Sequence, residues 1–181
     1  MTNWRPERVE EYRDVQTLWN YHHSALKKSP QKRLERLWRS SRDNARTPVQ
    51  WSGAENAGFT TGKPLISVNP NYPEINVAQQ EEDPDSVLNF YRKAIALRKD
   101  LACVRHGSYR EYFRHSGKHY VYARQDGNQK LLVVCSFSPE VSRLKLPKGF
   151  EAESAQLLLC NYPAPRGTTL QPYECRVYLW E

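Results

Sequence analysis

The chain has 181 residues, of which 39% are hydrophobic, 26% charged and 12% aromatic. This length allows one or two small domains, and it excludes a complete (β/α)8 barrel, which takes about 250 residues. The aromatic content excludes a disordered chain, because aromatic side chains bury enough apolar surface to close a core.

The formal net charge is +7, and the basic excess is concentrated in residues 1–50. That segment holds 11 lysines and arginines against 6 aspartates and glutamates. A basic segment of this kind indicates nucleic acid, an acidic partner, or a surface that packs on another part of a protein. Nucleic-acid binding is the least favoured of the three, because no stripe of stacking aromatics accompanies the basic residues.

No apolar run in the sequence approaches the length of a membrane span, which is about 18 residues. The segment from Met1 to Glu7 also has no apolar stretch of the signal-peptide type. We therefore expect a cytoplasmic protein without membrane partners.

Four cysteines, Cys103, Cys135, Cys160 and Cys175, lie far apart in the sequence and form no Cys-x-x-Cys pair. Zinc ligands usually come in close pairs, so this spacing predicts no metal site. Cys135 and Cys160 each end or follow a run of apolar residues, which predicts buried, reduced thiols. The sequence also has no glycine-rich phosphate loop, and we expect no cofactor.

Two helical patterns occupy the beginning of the chain. Apolar side chains recur at steps of three and four over residues 7–28, which predicts a helix that Ser29-Pro30 ends. A second, shorter helix is predicted over residues 31–40. Residues 41–80 have no sustained period and are rich in Asn, Gly, Pro and Thr. An irregular segment of this length is usually functional.

A third helix is predicted over residues 84–99, with Asp83 as its N-cap and Pro84 in its first position. After Gly107 the pattern changes to short strands separated by turn residues. The predicted strands are 118–124, 130–137, 143–146, 155–160 and 174–180, with Asp126-Gly127-Asn128 as a hairpin turn. Together they predict an antiparallel β-sandwich over residues 105–181.

One polar segment stands out in the irregular region. It combines Arg42, Asp43, Asn44 and Arg46 shortly before Trp51. Guanidinium groups present rigid forks of donors that suit carboxylates or sugar hydroxyls, and aspartate and asparagine fix tight turns. The residues alone leave both a recognition loop and a structural turn open.

The same segment carries a resemblance to a known family. Residues 42–51, RDNARTPVQW, resemble a late catalytic-domain signature of the α-glucosidase branch of glycoside hydrolase family 13. That branch includes oligo-1,6-glucosidases, maltases, isomaltases and trehalose-6-phosphate hydrolases. Val49 takes a place where many relatives carry methionine. Further matching stretches are Asn56–Thr60, Val68–Tyr72, Ile75–Val77, Asp83–Leu88, Ile95–Lys99 and, more loosely, Leu170–Glu174.

The resemblance implies the C-terminal portion of a considerably longer enzyme. The expected fold is α+β: residues 1–104 would be the end of a (β/α)8 barrel, with the loop after strand 8 and the last helix. Residues 105–181 would be the antiparallel β-sandwich domain that follows the barrel. The family's three catalytic carboxylates lie on earlier barrel loops. We therefore assign no catalytic residue here, Asp43 included, and expect the chain to be inactive alone.

One substrate contact does carry over from the family. The arginine that matches Arg46 reaches the non-reducing glucose of an oligosaccharide, paired with an aspartate from the first barrel loop. Arg46 would thus bind the 4-hydroxyl of the sugar, while Arg42 and Asp43 would hold the shape of the loop. Because its aspartate partner would be missing, we expect Arg46 to be solvated and unable to bind sugar tightly alone.

Several functions remain open beside a retaining α-glucosidase for short malto- and isomalto-oligosaccharides. The chain could be part of a trehalose-6-phosphate hydrolase, since linkage preference is set outside these residues. It could be a non-catalytic module that binds carbohydrate or completes a separately encoded barrel. A nucleic-acid-associated protein is the remaining alternative.

Overall fold

The computed structural model describes residues 2–23, 29–163, 165 and 167–181. The chain divides into two compact units, Met1–Leu88 and Asn89–Glu181. Within the part that the structure describes, no helix combines the length and apolar character needed to cross a lipid bilayer.

The first unit begins with a 3-10 turn at Val9–Glu11, followed by helix α1 at Val15–His23. The prediction of one helix from residue 7 is wrong, because Asp14 starts the helix. Its carboxylate accepts a hydrogen bond from the backbone N–H of Thr17, which is the geometry of an N-cap. The predicted end of this helix, residues 24–28, lies outside the described residues.

Helix α2 spans Pro30–Ser40 and confirms the second predicted helix. The Ser29 hydroxyl accepts a hydrogen bond from the N–H of Lys32 and caps this helix, with Pro30 in its first position. Leu34 and Leu37 project from α2 into the core of the first unit. The other buried members of that core are Trp4, Val9, Tyr12 and Ile66.

The segment after α2 is irregular, as predicted, apart from short helical elements. These are 3-10 turns at Arg42–Ala45 and Glu55–Gly58 and helix α3 at Val77–Glu82. The predicted cap at Asp83 is wrong: Asp83 ends α3, and its carboxylate accepts a hydrogen bond from the N–H of Asp85. The next helix, α4, spans Val87–Asp100, so it begins three residues later than predicted.

The described residues of the second unit form most of α4, a short helix and seven strands. The short helix is α5 at Ala102–His106. The strands are β1 Ser108–Tyr112, β2 His119–Asp126, β3 Gln129–Ser136, β4 Ser142–Arg143, β5 Gln156–Cys160, β6 Thr169–Leu170 and β7 Cys175–Trp180. Four of the predicted strands are present, with ends shifted by at most two residues. The fifth, predicted over 143–146, is wrong beyond Arg143, because the strand observed there is Ser142–Arg143; α5, β1 and β6 were not predicted.

Five strands form one antiparallel sheet in the order β1-β2-β3-β7-β5, and β4 pairs with β6 in a second sheet. The hairpin between β2 and β3 is closed by a two-residue turn, as predicted, and Gly127 adopts a φ of 55° in it. A positive φ at the first position of such a turn favours glycine.

The large sheet is buried on both faces. Leu132 and Val134 of β3 pack with Leu144, which directly follows β4, and with Leu170 of β6. Leu131 and Val133, which alternate with them, belong to a second cluster whose other buried residues are Cys103, Leu159, Val177 and Leu179. Burial on both faces explains why β3 is apolar without alternation.

Candidate functional site

The Arg42–Trp51 segment begins with a 3-10 turn that a buried serine caps. The hydroxyl of Ser41 accepts a hydrogen bond from the N–H of Asp43 at 3.2 Å. The same hydroxyl lies 3.1 Å from that of Thr17 in α1. These contacts fix the start of the segment against the first helix.

Asp43 is fully buried and anchors the segment through the backbone. Its Oδ2 atom accepts hydrogen bonds from the N–H groups of Arg13, at 2.7 Å, and Asp14, at 3.0 Å. A buried carboxylate needs such donors, because an unpaired charge is costly in the interior. Asp43 therefore joins the segment to the chain that leads into α1.

Asp14 is the second buried carboxylate, and it connects the helix cap to both arginines. Its Oδ2 atom accepts hydrogen bonds from the N–H and the hydroxyl of Thr17. Its Oδ1 atom lies 3.2 Å from Arg46 Nη1 and 3.9 Å from Arg42 Nε. Burial alone would raise the pKa of Asp14, but the hydrogen bonds from Thr17 and Arg46 and the charge of Arg42 outweigh it and lower the pKa.

Arg46 is positioned by both carboxylates. Its Nη1 atom lies 3.2 Å from Asp14 Oδ1 and 3.4 Å from Asp43 Oδ1, and 45% of its side chain is exposed. The sequence predicted a solvated Arg46 that lacks the aspartate of the first barrel loop, whereas the structure shows a partly exposed Arg46 whose partners are Asp14 and Asp43. Both contacts use one nitrogen of a guanidinium that has five N–H donors, so the exposed part of the fork retains donors for a ligand.

Sequence reasoning found Arg42, Asp43 and Arg46 but missed Asp14, which holds two of them. The available signal was the spacing Asp14-x-x-Thr17, which is that of a capping pair at a helix start. A continuous apolar period across residue 14 obscured that signal. Arg42 itself is largely exposed, and its contact with Asp14 is long.

Buried amides shape the rest of the irregular segment. Gln50 Nε2 donates to Asn71 Oδ1 at 3.1 Å and to the carbonyl of Ile75 at 2.6 Å. Asn76 caps α3 by accepting from the N–H of Gln79 at 3.0 Å. Hydrogen bonds to backbone groups replace secondary structure here, which is how a long loop of this kind keeps one conformation.

Large apolar side chains are exposed in the first unit. Val15 and Leu65 are 79% and 77% exposed, and about half of each of Trp19, Trp51 and Phe59 is exposed. Several exposed apolar side chains in one small unit are typical of a surface that packs on another part of a protein.

Among the described residues, no group of three or more His, Cys, Asp or Glu side chains could hold a metal ion. The Nε2 atom of His119 lies 2.9 Å from the hydroxyl of Ser142. Burial and the charge of Lys118 lower the pKa of His119.

Comparison with known proteins defines the class. The profile described as "Alpha amylase, catalytic domain" matches residues 8–107, and the chain belongs to the α-amylase family, glycoside hydrolase family 13. This finding confirms the resemblance of the Arg42–Trp51 segment.

The curated relatives include oligo-1,6-glucosidases and trehalose-6-phosphate hydrolases. The oligo-1,6-glucosidase of Bacillus cereus is 40% identical over 184 residues, which cover 98% of this chain and 33% of the relative. The trehalose-6-phosphate hydrolase of Bacillus subtilis (strain 168) is 38% identical over 184 residues, with the same coverage of both chains. The chain thus spans about a third of the length of the curated relatives it matches.

Solved structures give the same result. The trehalose-6-phosphate hydrolase of Bacillus licheniformis superposes with a TM-score of 0.90 at 37% identity, covering 100% of this chain and 34% of that one. The trehalulose synthase MutB of Pseudomonas mesoacidophila MX-45 superposes with a TM-score of 0.88 at 35% identity, with the same coverage of both chains.

Proposed function

We propose that the chain is the C-terminal part of a retaining α-glucosidase that hydrolyses terminal α-glucosidic bonds of short malto- and isomalto-oligosaccharides. In this proposal residues 1–104 complete the barrel domain and residues 105–181 form a β-sandwich domain. Arg46 binds the terminal glucose, and Arg42 and Asp43 hold the shape of its loop. A cytoplasmic location remains a prediction from the sequence.

The observation that carries this proposal is the geometry of Arg46. Two buried carboxylates, Asp14 and Asp43, hold one nitrogen of its guanidinium, and almost half of the side chain remains exposed. A charge-assisted fork fixed in this way loses little side-chain entropy when it binds a hydroxyl. The family membership supports a sugar as the ligand.

The two buried carboxylates are unsuited to glycoside hydrolysis themselves. A retaining glycosidase needs one carboxyl that is protonated as general acid and one free to attack the sugar. The lowered pKa keeps Asp14 ionised, so it has no proton to donate. Asp43 is fully buried and accepts two backbone hydrogen bonds at one oxygen. This chemistry supports a chain that is inactive until the remainder of the barrel is present.

A complementation assay tests the proposal. The 181-residue chain is assayed on a nitrophenyl α-glucoside alone and after co-expression with Bacillus cereus oligo-1,6-glucosidase that lacks the third matched by this chain. We expect turnover only in the combined sample. In that sample Arg46→Ala should lower kcat/KM by about ten- to a hundredfold, the usual effect of losing a charged hydrogen bond.

Arg39→Ala, at an exposed position of α2, serves as the matched control and should leave kcat/KM unchanged. Turnover by the isolated chain that a substitution within it abolishes would contradict the inactivity. Undiminished kcat/KM for Arg46→Ala in the active combined sample would contradict the assignment of Arg46.

A trehalose-6-phosphate hydrolase is the second candidate, because proteins of that name match the whole length of the chain nearly as well. The relative's barrel would impose its own specificity in the assay above. Where the adjoining coding DNA encodes a barrel in frame, assays of that complete enzyme on isomaltose, maltose and trehalose 6-phosphate separate the two candidates.

A non-catalytic module that completes a separately encoded barrel is the third candidate, and the exposed Val15, Trp19 and Leu65 favour it. Co-purification of the chain with a barrel protein encoded elsewhere would support it. An in-frame barrel in the adjoining DNA would contradict it.

A further inference from the structure

Two cysteines of the second unit face each other across the centre of the large sheet. Cys135 of β3 is in register with Cys175 of β7, and their Sγ atoms are 3.4 Å apart. At the next position the N–H of Ser136 donates to the carbonyl of Glu174 at 2.8 Å. The cysteines therefore occupy a pair without mutual backbone hydrogen bonds, because the two types of pair alternate along antiparallel strands.

This position favours a covalent bond between the two sulfurs. Facing residues in such a pair have Cα atoms about 4.5 Å apart, with their side chains closer than in the other type of pair. That separation lies within the range of about 4.4–6.8 Å that disulfides span. The strands thus hold Cys135 and Cys175 ready to bond without displacement of the backbone.

Solvent reaches the pair, because Cys135 and Cys175 are both partly exposed. Cys160 is partly exposed as well, but the environments of Cys160 and Cys103 differ from that of the pair. Cys103 is fully buried, and burial raises the pKa of its thiol. The sulfur of Cys160 contacts Glu174 Oε1 and accepts from the N–H of Tyr162, and burial also raises its pKa.

The hydrogen bond between the paired sulfurs couples their ionisation. A thiolate is the reactive form of cysteine, and a thiolate at either position accepts a hydrogen bond from the thiol opposite. Either sulfur can therefore react first, and the other is then the resolving thiol.

We propose that Cys135 and Cys175 form an oxidation site, in which hydrogen peroxide converts the thiol pair into a cross-strand disulfide. The thiolate of one cysteine attacks one peroxide oxygen, the O–O bond breaks, and the departing hydroxide leaves a sulfenic acid on that sulfur. The sulfur of the other cysteine then attacks the sulfenic sulfur, and the hydroxide displaced there takes the thiol proton to form water. The two sulfurs together lose two electrons, and one peroxide is reduced.

The disulfide would link the neighbouring strands β3 and β7 covalently. The cysteines are 40 positions apart, so the bond closes a long loop and restricts the unfolded chain. The oxidised chain should therefore unfold at a higher urea concentration than the reduced chain. This chemistry does not depend on the proposed glucosidase function.

The test uses the complete 181-residue chain, reduced and then treated with dilute hydrogen peroxide while folded. Free thiols are counted with a maleimide after unfolding, and the disulfide is mapped by peptide mass. We expect two of the four thiols to disappear, a single Cys135–Cys175 disulfide, and a higher urea midpoint that a reductant reverses.

Single serine variants test the pairing. Cys160→Ser should still lose two thiols and form the Cys135–Cys175 disulfide. Cys135→Ser and Cys175→Ser should form no intramolecular disulfide, and the remaining cysteine of the pair should accumulate a sulfenic acid that dimedone traps. Circular dichroism checks that each variant is folded. Retention of all four thiols in the peroxide-treated wild type, or a disulfide that involves Cys103 or Cys160, would overturn the proposal.

Discussion

Asp14 Oδ1 lies 3.2 Å from Arg46 Nη1, so the cap of a helix is joined to the Arg42–Trp51 segment across 32 positions of sequence. One carboxylate thereby performs two tasks: its other oxygen holds the first turn of α1 through Thr17. The position of Arg46 consequently depends on the correct start of α1.

Substitutions at Asp14 should separate two contributions to stability, that of the helix cap and that of the negative charge. Asp14→Asn keeps a good capping side chain but removes the charge that faces Arg46, whereas Asp14→Ala removes both. We expect Asp14→Ala to lower the free energy of unfolding by about 1–3 kcal/mol, and Asp14→Asn to have a smaller effect. Urea denaturation followed by circular dichroism measures both.

Glu7→Gln removes an exposed acidic charge from the same end of the chain and is the control. It should shift the urea midpoint little, because exposed charges contribute little to stability. Equal midpoints for Asp14→Ala and wild type would contradict the role of the cap.

The sequence was sufficient to predict those elements whose signal is local. Residues 31–40 carry a helical period and fold as α2, and the Asp126-Gly127-Asn128 turn sets the register of the β2–β3 hairpin. The choice of Arg42, Asp43 and Arg46 rested on their residue types and on family resemblance. Local chemistry was enough for these predictions.

The errors arose where distant contacts decide the structure. The apolar period over residues 7–28 continues through Asp14, but the helix starts there. The Asp14 side chain contacts Thr17 and Arg46, and its backbone N–H donates to Asp43 Oδ2. Strand β1 is rich in polar residues and is defined by its pairing with β2. A single sequence does not reveal partners of this kind.

A buried ion pair in β7 provides the second prediction. Arg176 Nε lies 2.5 Å from Glu174 Oε1, and both side chains are almost completely buried. Arg176 also donates to the carbonyls of Gly167 and Thr169, which holds the chain before β7. Arg176→Met leaves a buried carboxylate unpaired and should cost about 3–5 kcal/mol of unfolding free energy.

The double variant Glu174→Met, Arg176→Met removes both charges and should be less destabilised than Arg176→Met alone. Arg105→Met, at an exposed position, is the matched control and should leave the urea midpoint nearly unchanged. A double variant that loses the sum of the two single effects would show that the charges are not coupled.

Acid sensitivity is the third prediction, and it follows from the carboxylates of Asp14 and Glu174. Burial alone would raise the pKa of Glu174, but Arg176 and the N–H of Gln171 outweigh burial and lower this pKa. The pKa of Asp14 is lowered in the same way by its own hydrogen-bond and charge partners. The unfolded chain then binds protons more readily, so stability is lost as pH falls. The loss begins near the ordinary values of 3.8 and 4.5 and ends below the lowered pKa values.

Urea midpoints measured from neutral pH down to about pH 3 test this sign. The urea midpoint of the wild type should fall as the pH is lowered. The midpoint of Glu174→Gln should be lower at neutral pH and should fall less steeply with pH. An equally steep fall in that variant would contradict a contribution of Glu174 to the acid sensitivity.

The close approach of the α5–β1 connection to the sheet gives the fourth prediction. A Cβ atom added at Gly107 would lie 2.3 Å from the carbonyl oxygen of Cys103 and 2.8 Å from that of Gln125. Both are backbone atoms that α5 and β2 hold in place, so the chain must shift to accept a methyl group. We expect Gly107→Ala to lower the free energy of unfolding by about 1–3 kcal/mol.

Gly117→Ala is the matched control, because a Cβ at Gly117 would meet nothing within 4 Å. Alanine also restricts the unfolded chain more than glycine does, so this variant should equal or exceed the wild type in stability. The comparison of the two urea midpoints isolates the contact from the general effect of the substitution. If both alanine variants unfold at the same urea concentration, the backbone does not approach Gly107 as closely as the structure shows.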